Sequence, residues 1–161
     1  MSFTPYVLDP NLDIELTREV DVAPELVWKA WTTPDLLKQW FAPKPFETPH
    51  CEIDLRPGGI FRTVMRSPEG AEFDGAGCYL DVVPNERLVW TSALAPGYRP
   101  QEGDLPFTAV IELQPNGSGG TRYRAIAIHR TPEDNKKHAD MGFVEGWGAA
   151  LDQLVALVKA S

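Results

Sequence analysis

The sequence predicts a single α+β domain in which a curved antiparallel sheet wraps around a long C-terminal helix. Three observations lead there. Between residues 13 and 129, short runs of alternating polarity succeed one another, punctuated by turns rich in Pro, Gly and Asn. Gly75 and Gly77 fall inside one of those runs, where glycine marks strong bending or close backbone approach. Residues 131–158 carry apolar side chains at three- and four-residue steps, the period of an amphipathic helix.

The elements follow in order. Residues 1–12 hold two prolines and no periodicity, and are expected to form a loosely held arm before the domain proper at 13–161. Ile14, Leu16, Val20 and Val22 alternate with charges, as a half-buried strand requires. Pro24 then suits a first helical position and Glu25 the positive end of a helix dipole. Leu26, Val27, Ala30 and Trp31 form its apolar face. Thr33-Pro34-Asp35 repeats the start signal for a second short helix with Leu36, Leu37, Trp40 and Phe41, stopped by Pro43 and Pro45.

Strands are expected at 50–55 and 60–66 around Pro57-Gly58-Gly59, then at 73–83 and 88–94. Residues 95–106, with Gly97, Pro100, Gly103 and Pro106, are long enough for a lid. Strands 107–113 and 121–129 form the last hairpin. Thr131 as N-cap and Pro132 at the first helical position open the final helix. Met141, Phe143, Trp147, Ala150, Leu151, Leu154, Leu157 and Val158 line one of its faces. Gly142, Gly146 and Gly148 each cost about 1 kcal/mol there relative to Ala. Either the helix kinks at them, or they let another element or a ligand come close.

Bulk properties narrow the function. The 161 residues are 43% hydrophobic and 24% charged, an ordinary globular mix. A net charge of −8 disfavours nucleic acid and anionic membrane surfaces, both of which select Lys/Arg-rich patches. The N-terminal residues lack the basic start and apolar run of a signal peptide, and no stretch reaches membrane-spanning length. Cys51 and Cys78 lack metal-ligand spacing and read as buried thiols of a reducing compartment. A cytoplasmic protein is therefore expected.

A strongly curved sheet does not close tightly over one helix, so a cavity is expected, with a small hydrophobic molecule as its occupant. Trp40, Phe61, Trp90, Phe143 and Trp147 are the expected aromatic lining, with Met65 beside them and the hydroxyls of Tyr79 and Tyr123 as orienting groups. His138 and Glu145 stand seven residues apart, two turns along one helical face, and could form an acid/base pair. With Tyr123 they are the candidate catalytic groups. A solvated face explains His138 better, because its surroundings are polar all round. His50 and His129 share no spacing with His138, so no metal site and no cofactor is implied. Arg56, Arg62, Arg66, Arg122, Arg124 and Arg130 read as ion-paired with Asp54, Asp74, Glu112 and other acids on the outer face. Arg62 could instead turn inward to hold a ligand carboxylate. Protein interaction, as a homodimer or with a chaperone partner, is a further possibility that an exposed apolar patch would mark.

The order of elements and several segments resemble a known family. The stretches are TREVDVAPELVWKAW from Thr17, TPDLLKQWFAP from Thr33, EIDLRPGGIF from Glu52, GAGCYLDVVPNERLVWT from Gly75, GGTRYRA from Gly119 and HADMGFVEGWGAALDQL from His138. They resemble the START-like, or helix-grip, superfamily. Within it the similarity is to the family named after the C-terminal domain of the heat-shock-protein-90 ATPase activator. The resemblance implies a β-α-α-β6-α fold. It implies little about activity: members of the wider superfamily bind lipids, hormones or polyketides, and some are cyclases or hydroxylase components. The eukaryotic activator works with an additional N-terminal domain that this chain has no room for.

Overall fold

The structure is a computed structural model that describes residues 3–161. The first two residues of the expected arm lie outside the described residues. Seven strands form one antiparallel sheet, in the order β1-β9-β8-β5-β4-β3-β2. They are β1 (Asp13–Val20), β2 (Glu47–Ile53), β3 (Ile60–Arg66), β4 (Glu72–Val83), β5 (Arg87–Thr91), β8 (Thr108–Pro115) and β9 (Thr121–Ile128). A small separate hairpin pairs β6 (Leu94–Ala95) with β7 (Arg99–Pro100). Four helices accompany the sheet: α1 (Pro24–Thr32), α2 (Pro34–Leu37), α3 (Pro132–Asp140) and α4 (Phe143–Lys159). This is the helix-grip architecture.

Strand alternation places the core. Leu88 and Trp90 of β5, Ala109, Ile111 and Leu113 of β8, and Tyr123, Ala125 and Ala127 of β9 all face inward. They meet Val27, Ala30 and Trp31 of α1 and Phe143, Ala150, Leu151 and Leu154 of α4 in one cluster. Leu26, expected on the apolar face of α1, is 45% exposed instead. The face of this short helix is set by Val27, Ala30 and Trp31, and Leu26 lies outside that stripe. In β4 the register shifts between Tyr79 and Asp81, so Tyr79 and Val82 both pack on the inner cluster although their spacing is odd.

The intervening residues face outward. Val89, Val110 and Ile126 form a second cluster there, with Tyr6 and Leu8 of the N-terminal arm packed against it. The arm is therefore tied down rather than loose. The Tyr6 backbone N–H donates to Glu112 at 3.0 Å, and Arg124 donates to the Tyr6 carbonyl at 2.7 Å. Tyr6 also donates its hydroxyl to Asp13 at 2.7 Å. Glu112 is buried and further paired with Arg124 at 2.9 Å. Prolines gave the arm no periodicity, but its fixing depends on Tyr6 and Leu8 finding an apolar patch made by three distant strands.

The final helix is two helices. Thr131 caps α3 as expected, accepting from the Asp134 N–H at 3.1 Å. The chain then breaks at Gly142, whose φ of 88° places it in the left-handed region as the N-cap of α4. Gly148 has a different role. A Cβ there would stand 2.7 Å from Nη2 of Arg18, which crosses α4 to reach Asp152.

Residues 95–106 form no lid. The β6–β7 hairpin is pinned from beneath by Gln101, whose amide donates to the carbonyls of Ala76, Ser92 and Leu94. The two N–H groups of this one amide, shared among three carbonyls, hold the segment against β4 and the end of β5. Among the described residues, no helix is long and apolar enough to cross a membrane.

Candidate functional site

The inner face of the sheet, α1 and the α3–α4 junction leave between them a pocket of about 390 Å³. Its floor is Phe61, Thr63 and Met65 of β3, alternate residues on one face, with Gly75, Ala76 and Gly77 of β4 beside them. Trp90 and Tyr123 extend it along β5 and β9. Phe143, Gly146, Trp147 and Ala150 of α4 form the opposite wall, and Trp31, Trp40 and Phe41 close one end. Gly146 faces open space, so the bare backbone there enlarges the pocket. Met141, 67% exposed, stands at the rim.

The walls are a continuous network of rings. Phe61 lies 4.9 Å from Trp90, Phe143 4.7 Å from Trp147, and Trp31 4.9 Å from Trp40, centroid to centroid. Trp90 and Trp147 stack at 6.4 Å, with 16° between their planes. Edge and tilted contacts of this kind fix each ring's orientation. No Lys, Arg, Asp or Glu is among the lining residues.

The polar groups are few. Trp31 donates its indole N–H to the Tyr123 hydroxyl at 3.2 Å, and burial pushes the Tyr123 phenol well above its usual range. Trp40 donates to the Ala30 carbonyl at 3.0 Å. The indole N–H of Trp90 is buried without a partner among the described residues. His138, 8% exposed, is the buried residue of the otherwise polar α3. Its Nδ1 lies 2.8 Å from Nε2 of His129, and Nδ1 of His129 lies 2.8 Å from the Leu12 carbonyl oxygen. Burial, and then the neighbouring His129, lower the His138 pKa to about 4.

Of the residues expected at the site, Trp40, Phe61, Met65, Trp90, Phe143, Trp147, Tyr123 and His138 all line the pocket. Three do not. Arg62 alternates with Phe61 and Thr63 and so faces outward, forming a bidentate pair with Asp74 at 3.0 and 2.8 Å. Tyr79 lies behind Phe61, 5.5 Å from it, with its hydroxyl buried and without a partner among the described residues. Glu145 is exposed, because the break at Gly142 puts it on a different helix from His138. The His138–Glu145 pair is not formed, and His129 takes that place.

Phe107 is a further lining residue that periodicity did not single out, 4.7 Å from His138 and 5.6 Å from Trp90. The outer arginines pair as expected, Arg66 with Glu47 at 2.6 Å and Arg124 with Glu15 and Glu112 among them. Cys51 is half-buried, and burial raises its thiol pKa to about 11, the wrong direction for a nucleophile.

Fold and pocket together define a helix-grip protein with an aromatic-walled interior. The family model described as Activator of Hsp90 ATPase homolog 1-like protein matches residues 21–159, and the chain belongs to that family. Among solved structures, a protein from Nitrosomonas europaea is 52% identical, with a TM-score of 0.91 over 95% of this chain and 97% of that one. A Chromobacterium violaceum protein is 27% identical, with a TM-score of 0.72 over 90% and 96%. A Rhodobacter sphaeroides protein at 24% identity and TM-score 0.81, over 93% and 94%, shares the fold. No curated protein matches the chain.

Proposed function

We propose that this protein binds a small, uncharged, hydrophobic or aromatic molecule in the pocket between the sheet and α4. The observation that carries the reading is a wall of rings without one charged side chain, around a volume in the usual range for small-molecule sites. A packed core would have no reason to keep Gly146 bare against open space. Native mass spectrometry of freshly purified protein tests the proposal. A retained adduct of a few hundred daltons supports it. Bare protein, together with no binding from a panel of apolar aromatic compounds, sinks it.

One observation favours a second reading, catalysis of the cyclase or hydrolase type in the same pocket. His138 stands in the wall with His129 behind it, an arrangement able to move a proton. Its low pKa makes it a weak base near neutral pH, so binding is the stronger reading.

A further inference from the structure

Two histidines outside any expected spacing decide which hydrogen-bonding group the pocket offers its occupant. The Leu12 carbonyl can only accept, so Nδ1 of His129 carries a proton and donates to it at 2.8 Å. In a neutral ring the other nitrogen, Nε2, is then a bare acceptor. Nδ1 of His138 stands 2.8 Å from that acceptor and must donate. With both rings neutral, Nε2 of His138 is left unprotonated. His138 lines the pocket and His129 does not, and with Nδ1 turned to His129, Nε2 is the ring nitrogen left for the pocket. None of the described residues donates a hydrogen bond to it. Among the described residues, the hydrogen-bond partners of the two rings are each other and the Leu12 carbonyl, with no carboxylate, and the rings facing His138 are those of Phe107, Phe143 and His129.

We infer that the pocket selects uncharged ligands that present a hydrogen-bond donor, a hydroxyl on an aromatic body, to Nε2 of His138, and that His129 and the Leu12 carbonyl impose this by fixing the His138 tautomer. The inference rests on the proposed binding function and adds a chemical class to it. The apolar walls supply affinity for the ring system, and the single lone pair supplies orientation. His129 is a positioning residue, since it touches His138 rather than the ligand. An acceptor-only molecule of the same size would set its own lone pairs against that of Nε2 and leave it unsatisfied.

The test has two readouts. Long-range proton–nitrogen NMR correlations on nitrogen-15-labelled wild-type protein at pH 7 read the tautomer without any ligand. Protonated Nδ1 and bare Nε2 at His138 are expected, and a protonated Nε2 overturns the inference. Calorimetric titration then compares 2-naphthol, a donor, with 2-methoxynaphthalene, its capped form. Wild type is expected to bind the naphthol roughly tenfold more tightly, the worth of one neutral hydrogen bond. His138→Asn keeps a donor for His129 but has no acceptor reaching as far as Nε2, and its preference is expected to fall to within about twofold. Equal binding of the two probes by wild type overturns the donor rule and leaves the pocket proposal standing. Binding of neither overturns both.

Discussion

Lowering the pH from 7 to 5 should cost this protein stability through one identifiable side chain. The folded chain holds His138 neutral down to about pH 4, against an ordinary histidine value of 6.5. Burial is the larger cause, and repulsion from His129 the second. Between those two values the unfolded chain binds the proton and the folded chain does not. Stability is therefore intact above pH 6.5 and falls as pH drops toward 4. The full loss is about 3 kcal/mol below pH 4, of which about 2 kcal/mol has accrued at pH 5. Other groups also respond to pH, so the measurement is a difference between two proteins. Urea unfolding of wild type and His138→Asn is compared at both pH values, with m-values checked for constancy. Asn does not titrate, and its amide can replace the Nδ1–H donor to His129. Wild type should lose about 2 kcal/mol more than the variant. Equal losses would refute the claim that His138 is buried in its neutral form.

Three other outcomes follow from named contacts. Gly146→Ala places a methyl in open space within a helix interior, so the melting temperature should rise, by up to about 1 kcal/mol in stability, while the affinity for 2-naphthol falls. Gly142→Ala forces a β-carbon onto a φ of 88° and should destabilise by about 1–2 kcal/mol in a denaturant melt. Glu112→Ala removes the carboxylate that Arg124 and the Tyr6 N–H share. Hydrogen exchange should then show lost protection at Tyr6, and unfolding should show a loss of about 1–2 kcal/mol, since Arg124 keeps Glu15 as a partner while the Tyr6 N–H loses its acceptor.

Much of the fold was legible because local patterns agree with it. Ile14, Leu16, Val20 and Val22 share a parity and all pack on the core. Pro24, Thr131 and Pro132 stand where helices begin. The pocket's aromatic residues were legible for the same reason, since strand parity and helical spacing send them inward. What the pattern could not convey is long-range. Gly142 is one glycine of three in a continuous apolar stripe, and only its φ distinguishes a helix break from a tolerated cost. The arm docks on a patch built by β5, β8 and β9, and nothing in residues 3–12 encodes that patch. His129 and His138 meet because residues 130–131 turn α3 back over the end of β9, so a nine-residue separation acquires meaning only in three dimensions. Arg62 could have been assigned from parity alone: it alternates with Phe61 and Thr63 and must face away from them.

The central claim is that the space between sheet and α4 is a binding site, and the tryptophans report on it directly. Four of the five, Trp31, Trp40, Trp90 and Trp147, line the pocket, and Trp28 does not. The indole N–H signals of nitrogen-15-labelled protein are followed while 2-naphthol is added. The account predicts saturable shifts at the four pocket tryptophans, with Trp28 unmoved. Unchanged pocket signals up to the probe's solubility limit, or a shift confined to Trp28, would contradict it.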